Sequence, residues 1–251
     1  MYKFLLIIML LGYQINLGQS DKKFMISIPT AEKEAEYVWS LIEEISFYEK
    51  NGYALSLPYH PLIDSLVIKS KNKQLVEEDY VNLLFLMKEK VYKKSDYELS
   101  QNEVLSNLVD LQKMLKRIKK ENWSWSFKEF ERYEIKLTLY GPGGSYNPDE
   151  GSILLFTTKE GTYKNYSASV PTLIHEIVHL GIEESIVGKY ELSHWTKERI
   201  VDKIVVNMFG DELPEYKIQS MGNQEIDQYL MSLGDLGKLD QVLESYLNLK
   251  N

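Results

Sequence analysis

The chain has 251 residues, a formal net charge of -8 and a pI near 5.2, with 44% hydrophobic and 26% charged residues. That balance belongs to a globular protein with a substantial core and excludes a wholly disordered chain. The acidic surplus argues against nucleic acid as the main partner, and the absence of cysteine excludes disulfides, a thiol nucleophile and a lipid anchor through cysteine.

The N-terminus stands apart. Lys3 precedes the apolar run Phe4 to Leu11, followed by GYQINLGQS and the charges Asp21, Lys22 and Lys23. One positive charge, a short apolar stretch and small residues at Gly18 and Ser20 are the parts of a secretory signal peptide over about residues 1–20. The alternative is a buried N-terminal helix or strand. Removing residues 1–20 takes away Lys3 alone among the charges and shifts the net charge from -8 to -9. A secreted or periplasmic protein follows, with no stable membrane insertion, because no stretch in the body of the chain is long and apolar enough to span a bilayer.

Residues 21–130 read as a helical region. The spacing predicts helices over Thr30–Lys50, about Glu77–Lys93 and about Gln101–Lys120, the last with Val104, Leu105, Leu108, Leu111, Leu115 and Ile118 on one core-facing stripe. Two strands follow, Tyr133–Tyr140 and Ser152–Thr158, joined by the turn-rich GPGGSYNPDEG as a hairpin or an edge pair. Pro171 suits the first turn of a helix running to about Val187, and further helices are expected over about Thr196–Met208 and the last thirty residues. Helices, then a small sheet, then helices make an α+β protein, with residues 131–251 continuous with the helical region.

The chemistry concentrates in TLIHEIVHLGIEE, which starts at Thr172. Histidines four apart on a helix lie one turn apart on nearly the same face, so His175 and His179 can reach one metal ion. Glu176 projects to one side, where it can hold a water. A catalytic zinc site takes a third protein ligand and leaves a position open. Glu183 extends the same helical row and lies ~12 Å of helix rise from His175, too far to close around one ion. Glu198 follows His179 after eighteen residues, enough to turn and enter a facing helix. Asp202, one turn further, could accept the free ring N–H of a ligating histidine. The competing reading is an ordinary pair of helix histidines.

The segment HEIVH, eighteen residues, then KERIVD resembles the gluzincin metallopeptidases, the thermolysin-like and aminopeptidase-like group, over about residues 133–208. The metzincins fit less well, since they would place Gly and His where Ile182 and Ser185 stand. The resemblance implies a zincin-like fold and one zinc ion held by His175, His179 and Glu198. It implies Glu176 as the base that hydrolyses a peptide or protein substrate, and Asp202 behind a ligand histidine. It also suggests Tyr190 as the group polarising the scissile carbonyl, and Ser152–Thr158 as the edge strand bordering the cleft. A zinc hydrolase of a non-protein amide and an inactive zincin-like binding protein remain the alternatives. His194 reads as a fallback ligand, a transition-state donor or a capping residue, and His60 as structural. Asn122 and Asn165 match short glycosylation acceptors.

Overall fold

The computed structural model describes residues 23–249, so the signal peptide expected at 1–20 lies outside the described residues. A short strand, β1 (Phe24–Ser27), comes first and was not anticipated in the helical region. Thr30 then caps α1 (Ala31–Glu43), its hydroxyl accepting from the Lys33 backbone N–H at 3.3 Å. The single helix expected over Thr30–Lys50 is two, because the chain turns at Glu44 before α2 (Ile45–Lys50). A further unanticipated helix, α3 (Pro61–Lys71), explains His60: its Nδ1 accepts from the Leu62 backbone N–H at 3.1 Å and caps the helix. α4 (Glu77–Leu86) passes into a π-turn at Met87–Val91. α5 (Glu98–Lys120) buries Val104, Leu108, Leu111, Leu115 and Ile118, while Leu105 is 50% exposed. Leu105 sits ~100° around the helix from Val104, which takes it off the stripe.

Three strands follow: β2 (Tyr133–Thr138), β3 (Ser145–Asn147) and β4 (Ser152–Phe156). The sheet order is β1-β2-β4-β3, with β1, β2 and β4 parallel and β3 antiparallel to β4. The expected hairpin of the two longer strands is therefore corrected. They are parallel neighbours, Glu134 opposite Ser152 and Thr138 opposite Phe156. The edge beside β4 is β3, which lies within the turn-rich loop, so Ser152–Phe156 is interior. The apolar run of β4 suits a strand covered on both faces better than an edge.

α6 (Val170–Ile182) packs on β3, β4 and α5, and every residue in it except Thr172 is buried. It runs into a π-turn at Glu183–Gly188. α7 (His194–Phe209) crosses α6, capped by Ser193, whose hydroxyl accepts from the Thr196 N–H. The expected C-terminal helix is broken into a 3-10 turn at Gln224–Tyr229, α8 (Leu233–Gly237) and α9 (Leu239–Asn248). The protein is α+β, as the order of elements implied, and among the described residues no helix is long and apolar enough to cross a membrane.

One buried carboxylate fastens the helical region to the sheet. Glu34, 2% exposed on α1, accepts hydrogen bonds from the Tyr97 hydroxyl at 2.5 Å, the Thr138 hydroxyl at 3.1 Å and the Leu139 N–H at 3.0 Å. Burial raises its pKa above the ordinary 4.5, and the three donors offset that only in part. A raised folded pKa means that the folded chain keeps this proton after the unfolded chain has lost it. The stabilisation it brings is complete below about 4.5 and declines as pH climbs through the folded value. Glu34→Gln should flatten that decline in a series of melting temperatures against pH, at a cost of about 1 kcal/mol for a weakened hydrogen bond. An unchanged decline in the variant would assign it to another group.

Candidate metal centre

α6 and α7 bring together the three side chains singled out as ligands. His175 Nε2 and His179 Nε2 are 3.0 Å apart, and the Glu198 carboxylate reaches both, Oε2 at 3.4 Å from His175 and Oε1 at 3.4 Å from His179. All three residues are buried, at 8%, 1% and 8% exposure. Four ligands in a tetrahedron around an ion with bonds of ~2.0–2.1 Å stand ~3.3–3.4 Å apart. The two histidine–carboxylate separations match that spacing, each through a different oxygen of Glu198, the histidine nitrogens stand closer at 3.0 Å, and this buried His-His-Glu group could hold a metal ion. The geometry arises because His175 and His179 share a face of α6 while α7 crosses that face at Glu198.

Glu176 is 6% exposed and faces the glycine-rich loop. A Cβ on Gly144 would collide with Glu176 Oε1 and would approach Thr172 Cγ2 to 2.8 Å, so any side chain there would push the Glu176 carboxylate aside. Sequence patterning gave the loop its turns but not this contact.

Around the ligands lies a layer of supporting bonds. Asp202, fully buried on α7, stands 3.5 Å from His175 Nδ1, and the Tyr216 hydroxyl bridges the pair at 2.6 Å from each. Asp202 was expected behind a ligand histidine; Tyr216, interposed between them, was not. Gln219 donates from its side-chain amide to Glu198 Oε2 at 3.0 Å and from its backbone N–H to Asp202 Oδ2 at 2.7 Å. Arg199, paired with Asp227, holds the Gln219 carbonyl at 3.1 Å. The segment after α7 thus straps across the ligands. Nothing in the sequence signalled it, because Tyr216 is one tyrosine among 18 and follows Asp202 by fourteen positions.

His179 is held differently. Among the described residues its buried Nδ1 has no hydrogen-bond partner, and the Tyr146 ring from β3 stacks on the imidazole at 4.7 Å and 10°. The Tyr146 hydroxyl donates to Glu183 at 2.5 Å and accepts from Lys197 Nζ at 2.8 Å. Glu183 therefore supports the stack and stands outside the ligand group. His194 does not cap α7, as Ser193 does; its Nδ1 is 3.7 Å from Glu198 Oε1 and its Nε2 3.0 Å from the Tyr53 hydroxyl. Tyr190 is not brought to the ligands. Its hydroxyl bonds the Asp240 carbonyl at 3.2 Å and Glu244 at 3.3 Å on α9.

Burial pushes the Glu176 carboxyl up to about 7 and the His179 imidazole down to about 4. Burial also opposes charge on His175 and Glu198, but bonds from Asp202 and Glu198 outweigh it at His175, and bonds from His175 and His179 outweigh it at Glu198. His175 is held well above the usual imidazole range and Glu198 well below the usual carboxylate range. Glu198 is thus an anion ready to bind a cation, and Glu176 is poised near neutrality to take or give a proton.

Compared with known proteins, the chain matches no family model, no curated protein and no solved structure.

Tyr216→Phe keeps the ring against Tyr166 but removes the bridge to Asp202. Metal affinity, read by chelator competition, should fall about 10- to 100-fold; an unchanged affinity would show that Asp202 acts directly. Gly144→Ala should leave metal affinity near the parent value while displacing Glu176, and a simultaneous loss of metal would show that the loop braces the ligands as well.

Proposed function

We propose that the protein is an exported, zincin-like zinc peptidase that hydrolyses peptide bonds in peptides or proteins. The observation that carries this reading is the ligand triangle of His175, His179 and Glu198 with Glu176 beside it on the same helix. Two imidazoles, His175 releasing its Nε2 proton as the ion binds, and one carboxylate form a donor set suited to zinc, with one position left for water or substrate. Zinc bound there would supply a Lewis acid that brings the pKa of a coordinated water toward neutrality and polarises an amide carbonyl.

The residues of the chain do the rest. Glu176, with its proton affinity near neutrality, takes a proton from the attacking water and passes it to the leaving nitrogen. Gly144 keeps the loop close enough to confine that carboxylate. Asp202 and Tyr216 fix the His175 ring so that Nε2 points inward, and Gln219 orients Glu198. The intact base favours an enzyme over a binding protein of similar architecture, since binding alone has no use for Glu176.

Zinc-loaded protein should cleave casein or a quenched peptide, and a chelator should abolish the cleavage. Glu176→Gln should keep zinc nearly as tightly and lose most turnover, because the residue serves the water. Glu198→Ala removes the only anionic ligand and should lose both zinc and activity, Asp202→Ala should cost about 10- to 100-fold in affinity or activity, and Glu183→Ala should disturb binding least. Retention of zinc in Glu198→Ala alongside its loss in Glu183→Ala or His194→Ala would rule out this ligand set. Protein recovered from the culture medium or periplasm should begin near Asp21 by mass spectrometry, and a chain that starts at Met1 and stays in the cytoplasm would contradict export.

A further inference from the structure

Water adding to an amide carbonyl leaves negative charge on the carbonyl oxygen, and a fixed donor facing that oxygen is worth a large part of the rate. The resemblance gave this task to Tyr190, but the Tyr190 hydroxyl is spent on α9. A substitute has to be a polar hydrogen on the solvent side of the ligands, since the ligands themselves are almost wholly covered. Lys197 is engaged with Tyr146, and Tyr216 and Gln219 lie behind the ligands, bonded to His175 and Glu198.

Two side chains meet the requirement. His194 opens α7 one turn before Glu198, with its side chain 48% exposed and Nδ1 3.7 Å from Glu198 Oε1, beyond a hydrogen bond. Its Nε2 meets the Tyr53 hydroxyl at 3.0 Å. Tyr53 comes from the other half of the chain, just after α2, and its position is fixed twice over. Its own N–H donates to the Tyr48 carbonyl at 2.9 Å. Three residues on, Ser56 forms an antiparallel bridge with Gly141, each N–H donating to the other's carbonyl at 3.0 and 2.9 Å. Gly141 begins the loop whose Gly144 lies against Glu176, so the segment bearing Tyr53 is fastened to the loop that confines the base.

We propose that Tyr53 and His194 form a donor pair at the opening of the metal site, with the Tyr53 hydroxyl binding the oxygen that becomes anionic and His194 positioning the phenol. The proposal rests on the amide-hydrolase reading above. When the His194 Nε2–H donates to the phenol oxygen, the phenol hydrogen is released toward the opening. No bond is made or broken by the pair; it contributes a hydrogen bond that strengthens as the carbonyl oxygen gains charge. Burial and then the Glu198 charge raise the Tyr53 pKa, so the hydroxyl keeps the proton it donates at neutral pH. Tyr53 is thus a catalytic residue and His194 a positioning residue, and the helical half of the protein completes the site.

The test uses the zinc-loaded full chain with a peptide substrate and a phosphinate peptide of the same sequence, whose anionic oxygens stand in for the hydrated amide. Tyr53→Phe should weaken phosphinate binding and lower kcat by roughly 10²-fold, with KM for the substrate and zinc affinity near the parent values. His194→Ala should follow it in part, and His194→Gln, which retains an N–H donor, should recover much of the loss. Equal weakening of substrate and phosphinate, loss of zinc in Tyr53→Phe, or a Tyr53→Phe protein indistinguishable from the parent would each overturn the pair's role while leaving the hydrolase reading in place. If the zinc-loaded parent neither cleaves the peptide nor binds the phosphinate, that reading fails and the proposal fails with it.

Discussion

Two imidazole nitrogens held 3.0 Å apart, with a carboxylate 3.4 Å from each, set the terms for everything around them. Polar and charged groups buried this close have exchanged water for one another, and desolvation makes that arrangement unfavourable unless their orientations are enforced from outside. The enforcement is asymmetric. His175 is tied through Tyr216 to Asp202 and Glu198 is tied to Gln219, whereas His179 finds no hydrogen bond for its outer nitrogen among the described residues and relies on the Tyr146 ring. A stacked ring restrains the plane of an imidazole but not its rotation within that plane, so the covering of α6 by β3 matters most at His179.

The parts legible in the sequence were those governed by local rules. Helix geometry alone paired His175 with His179 and rejected Glu183, and the distance to Glu198 suited a facing helix. The alternation in Tyr133–Thr138 and the apolar run at Ser152–Phe156 marked two strands correctly, yet their relative direction was misread. A turn-rich loop usually means reversal, and here the reversal occurs inside it, at β3. β1 escaped notice because four residues carry too little periodicity to separate from a loop. Tyr216, Gln219, Tyr146 and Tyr53 were out of reach for another reason. Each acts through a contact set by tertiary folding, and no spacing rule links residue 53 to residue 194.

The helical half, which composition and pattern left without a role, proves to be built into the half that carries the candidate metal site at several points. Glu34 binds the end of β2, β1 extends the sheet, and the segment around Tyr53 and Ser56 grips the glycine-rich loop. These attachments differ in kind: a buried carboxylate, a parallel ladder and a two-bond bridge. The first two fix the packing of α1 and the sheet, and the last holds the segment whose Tyr53 meets His194.

The parallel pairing of Phe24–Ser27 with Tyr133–Lys136 has a consequence for how the chain is made. The two strands are separated by more than a hundred residues, and synthesis at about 5–20 residues per second leaves the first without its partner for roughly 5–20 s after it emerges. Met25, 41% exposed even in the finished fold, belongs to that waiting segment. α6, α7 and the strap that carries Tyr216 come later still. The donors are therefore assembled onto a sheet that can already be complete, and the order of translation delivers the scaffold before the residues that would grip an ion.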